Sequence, residues 1–80
     1  MVYTLHTFAI LKEKLGNPLL INTEREYTVE EMHLYLQQLY PEYSNLIRIA
    51  RLSVNRSLAE GDHLIYTHDE LCILPPFSGG

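Results

Sequence analysis

"TVEEMHLYLQQLYPEY", residues 28–43, is the stretch on which the fold turns. Thr28 and Glu31 make a T-x-x-E capping box, each side chain satisfying a backbone N–H that the first helical turn leaves open. Glu30 and Glu31 also put negative charge at the positive end of the helix dipole. Val29, Met32, Leu36 and Leu39 follow at spacings of three, four and three, so they form one buried stripe. His33, beside Met32, is expected on the exposed side. Pro41 disfavours helical backbone in the residue before it, which ends the helix at about Tyr40. One amphipathic helix therefore needs one apolar surface to lie on.

The flanks supply that surface as strands. "VYTLHTF" (2–8) alternates and is rich in β-formers. Tyr3, Leu5 and Thr7 point to one side, and Thr4, His6 and Phe8 to the other. "AILKEKLG" (9–16) changes period, with Ile10, Leu11 and Leu15 at helical spacing and Gly16 as the stop. "NPLLIN" (17–22) reads as a second strand with Pro18 at its start, where a missing N–H does least harm. After the long helix, "SNLIRI" (44–49) has room for a further short turn of helix. "ARLSVN" gives a third strand over about 51–55. Gly61-Asp62 and His68-Asp69 are turn signals, and the residues around them carry no firm period. "ELCIL" (70–74) is the last strand, with Leu71 and Ile73 inward, and Pro75-Pro76 stop it.

The order is strand, short helix, strand, long helix, strand, irregular segment, strand. The first two strands are too close in sequence for a full βαβ crossover, so they pair as a hairpin. The long helix then crosses the sheet and returns a strand on its far side. This is an α+β fold of β-grasp (ubiquitin-like) architecture, with a mixed sheet and one main helix packed across it. Residues 1–74 make the domain and residues 75–80 an extended tail.

The composition agrees with one small globular domain. The chain has 80 residues, 46% hydrophobic and 20% charged; at this size about 60% of the unfolded surface can be buried. A net charge of −4 and a pI near 5.4 argue against nucleic acid, which requires a basic face. Acidity of this size suits a partner with a basic surface. No apolar run reaches the ~20 residues that cross a bilayer, and the N-terminus lacks a signal-peptide pattern. The expectation is a cytoplasmic protein without a membrane partner. Cys72 is the only cysteine, so it makes no internal disulfide and reads as a small residue packed in or beside the last strand. The four histidines are dispersed, and no metal site, nucleophilic triad or phosphate loop is expected.

The tail, "CILPPFSGG" (72–80), carries the chemistry. Pro75 and Pro76 favour an extended course that loses less entropy on docking. Phe77 can anchor in a partner's pocket, and Ser78 is small. Gly79 and Gly80 lack Cβ atoms, so they fit a narrow channel. Gly80 presents an unhindered carboxylate, ionised at pH 7. That group is a poor electrophile until ATP converts it to an acyl-adenylate, which a thiol, an amine or a sulfur donor can attack.

At this point the chain resembles the MoaD family, the small sulfur-carrier subunits of molybdopterin synthase, within the ubiquitin-like MoaD/ThiS superfamily. The resemblance runs the whole length, through "TFAILKEKLG", "TVEEMHLYL", "LSVN" and "DELCILPPFSGG". The last block is the specific one, since thiamin-pathway carriers also end in Gly-Gly but usually lack Pro-Pro. Where the family commonly has Gly-Asp before the last strand, this chain has His68-Asp69. The resemblance implies a sulfur carrier in molybdenum cofactor biosynthesis. A ubiquitin-activating-like enzyme, which uses ATP, adenylates Gly80; a sulfur donor converts it to a thiocarboxylate. The tail then enters the large subunit of the synthase, a heterotetramer, and gives its sulfur to a precursor pterin. The chain itself binds no cofactor and is a co-substrate rather than a stand-alone enzyme. Phe8, Leu58 and Leu74 match the family's apolar docking patch, beside tail residues Pro75, Pro76, Phe77 and Ser78. The alternatives are a carrier for thiamin or tRNA thiolation, and a ubiquitin-like modifier or interaction module.

Overall fold

The computed structural model describes residues 1–76. Its elements are β1 (Val2–Thr7), α1 (Ala9–Leu15), β2 (Leu19–Asn22), α2 (Val29–Leu39), a 3-10 turn (Pro41–Tyr43), α3 (Ser44–Ile49), β3 (Arg51–Val54), β4 (Ser57–Leu58) and β5 (Leu71–Leu74). They form one five-stranded sheet in the order β2-β1-β5-β3-β4. β5 runs parallel to β1, and every other pairing is antiparallel. This is the mixed sheet of the ubiquitin-like β-grasp fold.

The capping box forms as the sequence predicts. The Glu31 N–H donates to Thr28 Oγ1 at 3.2 Å, and the Thr28 N–H donates to Glu31 Oε1 at 2.9 Å. Arg25 closes on the Glu31 carboxylate from outside, with its guanidinium 4.8 Å from the centre of the Tyr27 ring. Hydrogen bonds from Arg25, and next from the Thr28 N–H, hold the Glu31 carboxyl down at about 2, against an ordinary 4.5. A group with a depressed folded pKa stabilises the fold above its unfolded pKa and loses that contribution as pH falls through the folded one. The window for Glu31 therefore runs from about pH 4.5 down to about 2. Thermal melts across it are expected to show a shallower acid decline for Glu31→Gln than for the parent chain. An unchanged decline would assign the acid limb elsewhere.

Tyr3, Leu5, Ile21, Leu71 and Ile73 line the inner face of the sheet, and Val29, Met32 and Leu36 of α2 pack on them. Leu39 departs from the expected stripe: it is 44% exposed. The physical reason is α3, which packs against α2 and fills that end of the core with Ile47, fully buried. His33 also differs from expectation. It is half-buried, with Nε2 2.5 Å from the Ile47 carbonyl oxygen, so it ties α2 to α3.

The segment without a period is held by tertiary contacts. β4 was not expected; it follows β3 through a two-residue turn at Asn55 (φ 51°) and Arg56 (φ 69°), the left-handed pair that matches strand twist in a tight hairpin. Asn55 then clasps the turn before β5. Its Nδ2 donates to Asp69 Oδ1 at 3.0 Å, and its Oδ1 accepts the Glu70 N–H at 2.9 Å. Asp69 also accepts the Tyr66 N–H at 2.8 Å. That bond leads the causes that hold the Asp69 carboxyl below its usual range. His68 has no left-handed backbone, so the absent glycine is not required here. Residues 61–65 close over the start of α2. Gly61 and His63 carbonyls accept the N–H groups of Glu30 and Val29, and Leu64 bridges Thr28.

Candidate functional site

β5 lies in the middle of the sheet, hydrogen-bonded to β1 on one side and β3 on the other. Its last residue, Leu74, sits opposite Arg51, and Ile73 sits opposite Thr7 and Leu52. The chain therefore leaves the domain from a strand held on both flanks. Thr7 braces this end: its N–H donates to Asn17 Oδ1 at 2.8 Å, and its hydroxyl donates to the Gly16 carbonyl. Gly16 itself ends α1 at φ 89°, a left-handed position that favours glycine.

Leu11 of α1, Met32 of α2 and Ile47 of α3 all join the core on the inner face of the sheet. Cross-strand partners share a face, so Cys72 lies beside His6 and Ser53, with Leu58 beyond Ser53 and Leu74 beside Arg51. Cys72 is buried and free, as expected of a small packed residue. Phe8 was expected as the last residue of the first strand. The strand stops at Thr7, but Phe8 keeps extended backbone (φ −137°, ψ 155°) as the residue before α1. Ala9 then turns the chain sharply at φ 52°, a left-handed value that costs an alanine about 1–2 kcal/mol. The strain buys a one-residue corner that leaves Phe8 at the sheet's end.

Phe8, Leu58, Leu74, Pro75 and Pro76, five residues singled out from sequence, line a single open apolar groove of about 530 Å³ with Ala9 and Arg51. Phe8 is 44% exposed and Leu58 53%, so neither is consumed by the core. Pro75 is half-buried and Pro76 exposed. Sequence reasoning did not single out Ala9 or Arg51. Arg51 becomes legible only through its register with Leu74. The other expected tail residues, Phe77, Ser78, Gly79 and Gly80, lie outside the described residues.

A second depression of about 680 Å³ lies at the opposite end of the sheet, lined by Asn22, Thr23, Glu24, Arg25, Tyr27 and Tyr35. Most of its polar side chains are already engaged in the fold. Arg25 caps α2, the Thr23 hydroxyl donates to the Arg25 carbonyl, and the Tyr35 hydroxyl reaches the Asn22 carbonyl. Among the described residues, no three His, Cys, Asp or Glu side chains gather as a metal site, and no helix is long and apolar enough to cross a membrane. The groove holds one charged side chain, Arg51, and can bind an apolar protein surface; it offers no acid–base pair for catalysis.

Several solved structures share the fold, two of them as follows. SAMP1 from Haloferax volcanii superposes with a TM-score of 0.77 at 22% identity, over 100% of both chains. A chain in the protein–protein complex of subunits 1 and 2 of molybdopterin-converting factor from Helicobacter pylori 26695 superposes with a TM-score of 0.70 at 18% identity, again over 100% of both. Nothing among curated proteins matches the chain. The family model for ThiS matches residues 5–80, and the chain accordingly belongs to the ThiS family of ubiquitin-like sulfur carriers.

Proposed function

We propose that the chain is the small, sulfur-carrying subunit of a molybdopterin synthase. The observation that carries this reading is the groove: five residues chosen from sequence meet at the root of the tail in one open apolar surface. Such a surface lets a larger partner grip the domain while the tail reaches into that partner's active site. Pro75-Pro76 within "LPPFSGG" favours molybdopterin synthesis over the thiamin pathway. The two-subunit assembly of the Helicobacter pylori neighbour is consistent with a large catalytic partner.

The chemistry follows from the terminal carboxylate. An adenylating partner joins Gly80 to the AMP portion of ATP and releases pyrophosphate. A donor of sulfide-level sulfur then attacks the acyl carbon, AMP leaves, and a thiocarboxylate remains. The large subunit binds the apolar groove and takes in the tail; the sulfur attacks the precursor pterin, and water then cleaves the acyl–sulfur bond, leaving sulfur on the pterin and the carboxylate restored on Gly80. Gly79 and Gly80 keep the reacting carbonyl clear of side chains during these steps.

The test is the intact mass of the chain, free at its C-terminus, after incubation with its adenylating enzyme, ATP and a sulfur source. Exchange of one oxygen for one sulfur at Gly80 is the expected result. An unchanged mass, with the enzyme competent on a control carrier, would return the chain to a plain interaction module. Isopeptide conjugates on other proteins would identify a modifier. Which large partner co-purifies separates the molybdopterin pathway from thiamin and tRNA thiolation.

The groove gives a separate expectation. Phe8→Ser and Leu58→Ser should each weaken binding of the large subunit by about tenfold or more, since buried apolar anchors dominate interfaces. Both residues are exposed, so melting temperatures should stay close to the parent's. Isothermal titration beside thermal melts checks both statements. Unaltered affinity in both variants would remove the groove from the interface.

A further inference from the structure

The charges of this chain are sorted by position along the sheet, and the net value conceals it. β1 and β5 both end where the tail leaves, and β2 and β3 both begin there. At that end lie Lys12 and Lys14 on α1, Arg48 near the end of α3, and Arg51 in the groove wall. All four are exposed, and among the described residues none has a carboxylate within ion-pair distance. Two acidic residues lie outside the far-end cluster: Glu13 on α1, and Glu42 in the 3-10 turn after α2.

The opposite end collects most of the acid. Glu24 and Glu26 follow β2; Glu30 and Glu31 open α2; Glu60 and Asp62 sit in the loop over that helix start; Asp69 and Glu70 precede β5. The two arginines there are already paired, Arg25 with Glu31 and Arg56 with Glu70. The molecule is thus cationic around the tail's root and anionic at the far end.

We infer that Lys12, Lys14, Arg48 and Arg51 form a cationic collar around the apolar groove, and that the enzymes which take this tail meet it with an apolar patch rimmed by carboxylates. The inference rests on the carrier reading above. It reverses what net charge implies, since a charge of −4 by itself points to a basic partner. β1, at about 20 Å for its six residues, is longer than the ~8 Å screening length at physiological salt. A partner approaching the tail therefore feels the collar more than the distant carboxylates. An acidic rim attracts this end and repels the other, so encounters with the tail leading are the ones that persist. Because the adenylating enzyme and the large subunit must both receive the same tail, both carry such a rim.

The experiment uses the full chain with the adenylating enzyme and the large subunit of its own organism. Affinities and association rates are measured at low and high salt for the parent chain, for Lys12→Glu/Lys14→Glu, for Arg51→Glu, and for Glu60→Lys/Asp62→Lys at the far end. Circular dichroism verifies that each variant is folded. Expected are a loss of about tenfold or more in affinity for both tail-end variants, carried largely by slower association and erased at high salt. The far-end variant should stay within about twofold of the parent chain at high salt and associate no more slowly at low salt. Binding by the parent with no loss in the tail-end variants would overturn the collar and leave the carrier reading standing. So would a loss confined to the far-end variant. Failure of the parent to bind either enzyme would instead remove the carrier reading, and the collar with it.

Discussion

A single residue added after Gly80 is expected to abolish sulfur loading while leaving the melting temperature unchanged. Deleting Gly80 should do the same. The carboxylate must reach the adenylating site on a chain without side chains near the reacting carbon. One added residue moves the reactive carbon about 3.5 Å along the chain and puts a Cβ beside it. A displacement of about 1 Å can already cost a hundredfold in rate. The body should not register the change, because Leu74 and everything before it keep their pairings. Intact mass after incubation with the adenylating enzyme gives the loading, and calorimetry the stability. An extended chain that loads sulfur at the parent rate would sink the carrier mechanism at Gly80.

The second large effect concerns stability. Tyr3 is fully buried, and its hydroxyl does two things: it donates to the Ile65 carbonyl at 2.9 Å and accepts the Tyr27 N–H at 3.1 Å. Those partners lie in the connection before α2 and in the segment before β5. One phenol therefore ties two stretches of irregular chain to the sheet. Tyr3→Phe keeps the ring and leaves both backbone groups without a partner, at about 1–2 kcal/mol each, since the Tyr27 bond is only part-buried. A loss of about 2–4 kcal/mol is expected. At ~4–8 °C per kcal/mol for a domain of this size, that lowers the melting temperature by roughly 8–32 °C. A shift of only a degree or two would mean that water takes the place of the hydroxyl.

Tyr3 also shows how far the sequence was legible. Alternation in "VYTLHTF" turned Tyr3, Leu5 and Thr7 inward, and all three are buried. The same alternation kept Phe8 and Leu74 off the inner face, and the groove collects both. The capping box and the stripe of Val29, Met32 and Leu36 were equally visible, because helices write their needs at short, fixed spacings. Leu39 was assigned wrongly for the same reason: its spacing is right, but α3 occupies the space it would have filled. β4 and residues 59–68 were hidden because their order comes from distant partners. Two residues of strand have no period to detect, and Ile65 is buried because Tyr3 and Tyr27 hold its backbone. The groove's residues could be chosen one by one; that they meet depends on β5 entering the sheet between β1 and β3.

That central position also governs how the domain bears load. A pull on the tail acts along β5, whose hydrogen bonds to β1 and β3 lie across the direction of force. They are strained together in shear instead of peeling apart one after another. A strand at the sheet's edge would meet the same tug with hydrogen bonds on one side only. In the carrier role proposed above, that geometry lets a partner draw on the tail and release it while the domain remains folded.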